Sequence, residues 1–167
     1  MAGRNTVFRQ MLKFGGGLSG ALFLLMVLFQ LGFVNAYPEA PQEILFSTET
    51  YDFNPEHLRP LLSAKNELNL ERKKIQYLIS QVQKSQYTFI WNGRDFPSFL
   101  AASHIRTKYR HGFRQIKTAR DFIKRIASRS MATGRPYMMK TAKGHKYLTR
   151  DVLYNELDRL EHHLSLA

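Results

Sequence analysis

The sequence predicts an α+β fold: a small single domain of about four helices with two short β-hairpins, preceded by an N-terminal hydrophobic helix and an extended acidic linker. Three observations support this prediction. Apolar residues recur at helical spacing in separate stretches of the second half of the chain, Asn92-Gly93 joins two β-rich runs, and Lys143-Gly144 joins two more. With 167 residues, the chain has room for one modest domain and a leader.

The first 36 residues have the order of a signal peptide. Basic residues precede an uncharged run over 14–36 with an apolar centre at 21–29, and Val34-Asn35-Ala36 supplies small residues that a signal peptidase accepts. The uncharged run is also long enough to span a bilayer, so residues 1–36 are either a signal peptide or an N-terminal membrane anchor. Both alternatives predict an exported protein, because the early positive charge lies on the N-terminal side. We expect a periplasmic protein, soluble after cleavage near Ala36 or anchored by this helix.

Residues 37–65 are predicted to form an acidic, Pro-containing linker. Within 37–71, seven acidic residues face two basic ones, and four prolines break up any long helix. We expect an extended chain here, with a short docked piece around Ile44-Leu45-Phe46. From residue 72 onward the balance reverses to 20 basic against six acidic residues. The linker and the domain therefore differ in charge.

The basic α+β domain is predicted over 66–163. Apolar residues at helical spacing predict a first helix over 68–85. Asn92-Gly93 then predicts a hairpin, because both residues tolerate the positive φ of a tight turn. A second helix is expected from Pro97-Ser98 to a stop at Gly112.

A third helix, a second hairpin and a final helix complete the predicted domain. Thr118 and Asp121 have the spacing of a capping box, which satisfies the free amides at a helix start. The loop over 128–137 follows this helix. Because an anion cradle needs several glycines that lead into a helix, we interpret this loop as a helix-to-strand joint. Lys143-Gly144 turns the second hairpin, and Thr149 is expected to cap the last helix.

Composition restricts the chemistry of the domain. The chain has no cysteine, which excludes disulfides, thiolate nucleophiles and cysteine-based zinc sites. The nucleophile elbow of hydrolases and the zinc-binding helix motif are both absent, so we predict no catalytic residues, no metal and no cofactor. The net charge of +12 favours anionic partners. We expect an envelope protein or an anionic lipid or polymer rather than nucleic acid, and membrane contact through residues 14–36 if they are retained.

The candidate binding residues lie in and beside a strongly basic run. Between Arg106 and Arg150 there are 14 Lys or Arg and one acidic residue. Two interpretations stay open: a surface that binds anions, or a solvated surface partly neutralised by the acidic linker. His104 is either a general base in a groove or a helix-flank histidine hydrogen-bonded to the adjacent hairpin. The candidates are His104, Lys108, Arg120, Lys124, Arg125, Arg129 and Arg135.

Several short motifs occur in a characteristic order. They are Phe89-Ile90-Trp91-Asn92-Gly93, the helix over 102–108, the helix over 118–130, Thr133-Gly134-Arg135-Pro136-Tyr137 and a leucine-bearing last helix. Over residues 75–160 the chain resembles an uncharacterised bacterial family of exported proteins, domain of unknown function 5329. The resemblance implies an exported setting and supplies no activity. Family members often carry Cys before the first-strand Phe, where this chain has Tyr87-Thr88, so a role for that thiol does not carry over.

Three functions remain as hypotheses. The favoured one is an exported, non-enzymatic binding module whose basic face contacts an envelope partner or an anionic polymer or lipid. The second is a membrane-anchored accessory subunit of an envelope complex. The third is a hydrolase-like enzyme that uses His104 with the loop over 128–137, and a pocket that gathers His104, Ser128, Ser130 and Arg135 would favour it.

Overall fold

The computed structural model of the protein describes residues 40–46 and 55–166. The predicted signal peptide or anchor, residues 1–36, lies outside these residues. The described elements are helices α1 Pro55–Leu62, α2 Glu67–Lys84, α3 Ser98–Gly112, α4 Ala119–Phe122 and α5 Thr149–Leu166, and strands β1 Thr88–Trp91, β2 Arg94–Pro97, β3 Met138–Lys140 and β4 Lys146–Leu148. The predicted α+β class is confirmed, with two hairpins and the four helices expected in the domain.

The two hairpins join into one antiparallel sheet with the strand order β2-β1-β3-β4. Asn92 and Gly93 have φ values of 52° and 80°, so the first predicted turn is confirmed. Gly144, with φ of 84°, turns the second hairpin. Strand β1 pairs with β3, with Phe89 opposite Met139. This pairing brings the two hairpins together, and the sequence did not predict it.

One hydrophobic core connects the helices to the sheet. Apolar side chains at helical spacing along α2 are buried, among them Ile75 and Leu78, and they are fully covered. Phe89 and Met139 cover the core from the sheet side. Asn66 begins α2 by accepting a hydrogen bond from the Asn69 backbone N–H at 2.9 Å, which satisfies one of the amides left free at the helix start.

The prediction of an extended chain is wrong for residues 55–62, which form helix α1. Pro55 occupies the first helical position, where a missing N–H costs nothing. Leu58 and Leu61 are buried against Leu160 of α5, so tertiary packing stabilises a helix that has a second proline inside it.

The predicted docked piece around Phe46 is present. Phe46 is 2% exposed and lies against Phe89 and Tyr87, with ring centroids 6.1 and 6.4 Å away. The Tyr87 hydroxyl donates to the Leu45 carbonyl at 2.7 Å, and the Asn155 side-chain amide donates to backbone carbonyls of the same segment. Residues 40–46 are therefore part of the folded unit.

Helix α4 ends in a wide turn. Its predicted capping box is confirmed, because the Thr118 hydroxyl and the Asp121 carboxylate each accept from the other residue's backbone N–H. After Phe122 the chain continues as a π-helical turn over Ile123–Ala127. The Ser128 hydroxyl donates to the Ile123 carbonyl at 2.6 Å and ends the turn. Helix α4 and this π-helical turn together, residues 119–127, are called the α4 turn.

The expected cap at Thr149 is not present. Thr149 is the first residue of α5, and its hydroxyl oxygen is buried without a hydrogen-bond partner in the described part of the chain. The Thr149 backbone N–H instead donates to the Tyr137 carbonyl at 3.0 Å. The start of α5 is thus fixed by its direct connection to β4 rather than by a side-chain cap.

A polar cluster lies inside the core. The Glu156 carboxylate is fully buried and accepts from the Tyr77 hydroxyl at 2.6 Å and from the Arg159 guanidinium at 2.9 Å. Burial, and next the Glu156 charge, raise the pKa of Tyr77. Tyr77 therefore remains a hydrogen-bond donor at neutral pH. No helix within 40–46 and 55–166 has the length and apolar character needed to cross a membrane.

Candidate anion-binding surface and cavity

Helix α3 presents His104, Lys108 and His111 at positions i, i+4 and i+7. This spacing places the three side chains along one side of the helix. The adjacent stripe of α3 carries Ala101 and Ile105 into the core, so packing fixes the direction of the basic stripe at the edge of the buried face.

The Lys108 side chain donates hydrogen bonds to carbonyls at the carboxyl end of the α4 turn. Its Nζ donates to the Ile126 carbonyl, to the Arg129 carbonyl at 3.0 Å and to the Tyr137 hydroxyl at 3.2 Å. A cation at this position meets carbonyls that no helical amide satisfies and the negative end of the helix dipole. Burial lowers the pKa of Lys108 to about 8. All three ammonium hydrogens have an acceptor, so Lys108 supplies positive charge to its surroundings without a free donor.

His104 connects this group to the sheet. Its ring stacks on Trp91 of β1 at a centroid distance of 4.9 Å, and its Nε2 is 3.1 Å from the Tyr137 hydroxyl. Burial, and next the positive charge of Lys108, lower the pKa of His104. A largely neutral imidazole therefore shares the Tyr137 hydroxyl with an ammonium group. The hydrogen bond goes to Tyr137, just before β3, whereas the expected partner was the adjacent hairpin, which His104 contacts by stacking on Trp91. The lowered pKa also gives His104 the protonation state of a base.

A cavity of about 560 Å³ opens between α3 and the α4 turn, and we call it the α3–α4 cavity. His104 and Lys108 of α3 and Arg125 of the α4 turn line it. The other polar lining residues are Thr107, His111 and Gln115, and the apolar ones include Ile116, Ile126 and Met131. A volume of this size is ordinary for a small-molecule site. No carboxylate is among the residues that line the cavity.

The loop over 128–137 is closed by its own hydrogen bonds. The Ser130 backbone N–H donates to the Arg135 carbonyl and the Gly134 N–H donates to the Ser130 carbonyl, both at 2.9 Å. Gly134 has φ of 69°, which suits glycine at this turn. The Thr133 hydroxyl donates to the Asn92 side chain at 2.6 Å and ties the loop to the first hairpin. This geometry agrees with a helix-to-strand joint.

The structure separates the predicted binding residues into three groups. His104, Lys108 and Arg125 meet at the α3–α4 cavity. Lys124, Arg129 and Arg135 are exposed near it in the chain. Arg120 points elsewhere, since its guanidinium pairs with Asp158 at 2.7 Å and Glu161 at 3.1 Å on α5. Arg120 is therefore not part of the same site as His104.

The carboxylates of the domain from Glu71 onward form ion pairs or a helix cap, and none of them lines this cavity. Glu71 pairs with Lys74 and accepts from the Ala119 backbone N–H, and Asp121 completes the capping box. The other pairs are Asp95 with Lys140, Asp151 with Arg150, Glu156 with Arg159, and Asp158 and Glu161 with Arg120.

Several exposed cations lack such a partner. Within the described residues, no carboxylate lies within ion-pair distance of Arg110, Arg114, Lys124, Arg125, Arg129 or Arg135, which we call the basic surface. Among these six side chains, the charge of Arg125 interacts with that of Asp121, which lies one helical turn earlier. The docked segment 40–46 contacts Tyr87 and Asn155 rather than this surface.

Sequence analysis missed Tyr137, Trp91 and His111 as parts of this arrangement. The spacing of His104, Lys108 and His111 along α3 was the signal available for the last of them. Tyr137 and Trp91 reach His104 through tertiary packing, which has no signal in the neighbouring sequence. No three metal-ligating side chains come together in the part of the chain that the structure describes.

Comparison with known proteins identifies a family but no activity. The model of DUF5329, described as a family of unknown function, matches residues 69–161 and so includes the α3–α4 cavity. A curated relative, the uncharacterised protein YfeK of Salmonella typhimurium (strain LT2), is 42% identical over 55 residues. These residues make up 33% of this chain and 46% of that relative, so the match spans about half of its length. No solved structure matches the chain. The family resemblance predicted from short motifs is confirmed.

Proposed function

This chain belongs to the family of unknown function DUF5329, and on that premise we propose that it is an exported, non-enzymatic module that binds anionic lipid surfaces through its basic surface. Export is inferred from the order of basic, apolar and small residues over 1–36. Lipid is preferred to a soluble polyanion because an exposed apolar side chain, Met131 at 81% exposure, lines the same cavity as Arg125. An exported protein meets anionic headgroups as an abundant partner.

The observation that carries this proposal is the separation of charge. The carboxylates of the described domain from Glu71 onward are held in ion pairs or a helix cap, while the cations of the basic surface have none within ion-pair distance among the described residues. Unpaired surface cations attract an anionic membrane by about 1 kcal/mol each. Removing three of them should therefore weaken binding by about 3 kcal/mol, or roughly a hundredfold.

Vesicle binding tests the proposal. The protein, as purified from cells, is mixed with phosphatidylcholine vesicles that either contain or lack phosphatidylglycerol, and bound protein is measured by co-sedimentation. We expect binding that requires the anionic lipid and falls steeply as salt rises to about 0.15 M. The neutral vesicles correct for membrane contact through residues 14–36, because that contact does not need anionic lipid.

A pair of charge-matched variants identifies the surface. The combined substitution Lys124→Gln, Arg125→Gln and Arg129→Gln should lose most of the lipid-dependent binding. A control removes three exposed cations elsewhere, with Lys65→Gln, Arg94→Gln and Lys143→Gln, and should bind nearly as the wild type does. Equal losses in both variants would mean that net charge alone drives association. No binding to anionic vesicles at low salt would refute the proposal.

The membrane-anchored accessory subunit remains the second proposal, and it differs in the fate of residues 1–36. Sequencing the N-terminus of the protein from cells separates the two. A start at Tyr37 means a cleaved leader, whereas a start at Met1 or Ala2 means a retained anchor. Binding through the basic surface is compatible with either result.

The hydrolase-like alternative ranks last. The α3–α4 cavity contains His104 but not Ser128, Ser130 or Arg135. The Ser128 hydroxyl donates to the Ile123 carbonyl, and the Ser130 hydroxyl oxygen accepts from the Thr133 backbone N–H. Both serine hydroxyls are thus engaged by local backbone, which leaves His104 without a serine to activate.

A further inference from the structure

The residues that line the α3–α4 cavity are of two chemical kinds. Thr107, His111 and Arg125 contribute polar and basic groups, whereas Ile126 and Met131 contribute apolar surface. An inorganic anion uses only the polar groups, and a neutral apolar molecule uses only the apolar surface. A ligand that uses both has a charged end and an apolar end.

The charged donor available to a ligand is the guanidinium of Arg125. The three ammonium hydrogens of Lys108 are donated to protein acceptors. The His111 Nδ1 lies 2.7 Å from the Thr107 carbonyl, so Nδ1 carries the hydrogen and Nε2 of the neutral ring is an acceptor, which gives an anion no hydrogen bond. The Arg125 guanidinium is exposed and has no hydrogen-bond partner in the described part of the chain. A guanidinium in this state can bind a phosphate or carboxylate through two parallel hydrogen bonds.

The charge of the site selects an anion. The lining includes Lys108 and Arg125 and no carboxylate, so the potential inside the cavity is positive. Burial of Lys108 strengthens its field, because fewer water molecules screen it. Met131, one of the lining residues, is 81% exposed, so an alkyl chain can contact it as it extends out of the cavity.

We propose that the α3–α4 cavity binds one single-chain anionic amphiphile, an alkyl or acyl chain with a phosphate or carboxylate head. The head group binds the Arg125 guanidinium, and the chain lies along Ile126 and Met131. This inference deepens the proposed function, because it names the ligand class that the basic surface holds at a discrete site. It requires a saturable site with one ligand per chain, which adsorption to a lipid surface does not require.

Calorimetric titration of the whole protein, as purified from cells, tests the inference with three probes in phosphate-free buffer. Octyl phosphate carries both parts of the ligand, inorganic phosphate carries the head alone, and octanol carries the chain alone. We expect octyl phosphate to bind saturably with one molecule per chain and at least about tenfold more tightly than either partial probe. Nuclear magnetic resonance should show the Met131 methyl signal shifting during the same titration.

Two exposed substitutions and one control locate the site. Arg125→Gln should weaken octyl phosphate binding by about tenfold or more, because a charge-assisted pair is lost. Met131→Ser should weaken octyl phosphate and leave inorganic phosphate unchanged. Arg94→Gln, an exposed arginine at the first hairpin, should bind as the wild type does.

Three results would overturn the inference: no saturable binding of octyl phosphate, inorganic phosphate binding equally tightly, or Arg125→Gln binding like the wild type. Vesicle binding that persists in such a case would leave the proposed function standing and remove only the cavity ligand. Octyl phosphate binding without vesicle binding would support the cavity ligand and refute the proposed binding to lipid surfaces.

Discussion

Replacing Lys108 with Met tests whether this ammonium group stabilises the end of the α4 turn. Met keeps an apolar stem of similar length, so the packing against Tyr137 changes little. The carbonyls of Ile126 and Arg129 lose their donor, whereas the Tyr137 hydroxyl keeps His104 as a partner. Because the side chain is only partly buried, water reaches the site and each carbonyl costs about 1 kcal/mol, the low end of the range. Burial disfavours the ammonium group and offsets part of this cost, so the expected loss is at most about 2 kcal/mol.

Urea denaturation at pH 7 measures this loss as a change in the free energy of unfolding. Lys124→Met is the matched control, because Lys124 is exposed and bonds to nothing in the described residues, and it should change the free energy by less than about 0.5 kcal/mol. A Lys108→Met protein as stable as this control would refute the reasoning, since it would mean that the carbonyls do not depend on the ammonium group.

The pH dependence gives a second measurement of the same residue. The pKa of Lys108 is about 8 in the folded protein and 10.5, the ordinary lysine value, when unfolded. Between these values the unfolded chain binds more protons, so the free energy of unfolding of the wild type rises with pH. Lys108→Met lacks this rise. The difference in stability between the two proteins should therefore widen from about pH 8 towards pH 10, and a difference that narrows would contradict the assignment.

Two further predictions concern the docked segment and the histidine. Phe46→Ala should lower the free energy of unfolding by about 3–5 kcal/mol, because its ring is buried against Phe89 and Tyr87. Gln42→Ala, an exposed change in the same segment, is its control, and a loss below about 1 kcal/mol for Phe46→Ala would place the segment outside the core. The pKa of His104 is lowered in the folded protein, so wild-type stability should fall as pH drops below about 6.5. His104→Asn should lack this part of the fall in thermal melts between about pH 7 and pH 5, and parallel curves would argue against it.

The elements that sequence analysis predicted well are those with a local cause. Asn92-Gly93 can adopt the two positive φ values of a tight turn wherever it occurs. Thr118 and Asp121 satisfy free amides within one helical turn. The stripe of buried residues along α2 follows from the helical period itself.

The elements that were wrong or missed depend on distant contacts. Helix α1 forms over a segment with two prolines because Leu58 and Leu61 pack against Leu160, about a hundred residues later in the chain. Arg120 does not belong to the site of His104, because its guanidinium pairs with Asp158 and Glu161 of α5. Neither contact has a signal in the neighbouring sequence.

The sequence by itself determined the charge of the surface, the identity of the elements and the family. Charge and periodicity are properties of residue types and their spacing, so they need no folded structure. Only the tertiary structure decided which cations are free and which are paired. It also brought Lys108 and His104 to the Tyr137 hydroxyl, because α3 packs against the α4 turn and the Tyr137 backbone N–H donates to the Ser128 carbonyl beside it. The α3–α4 cavity is a consequence of that packing.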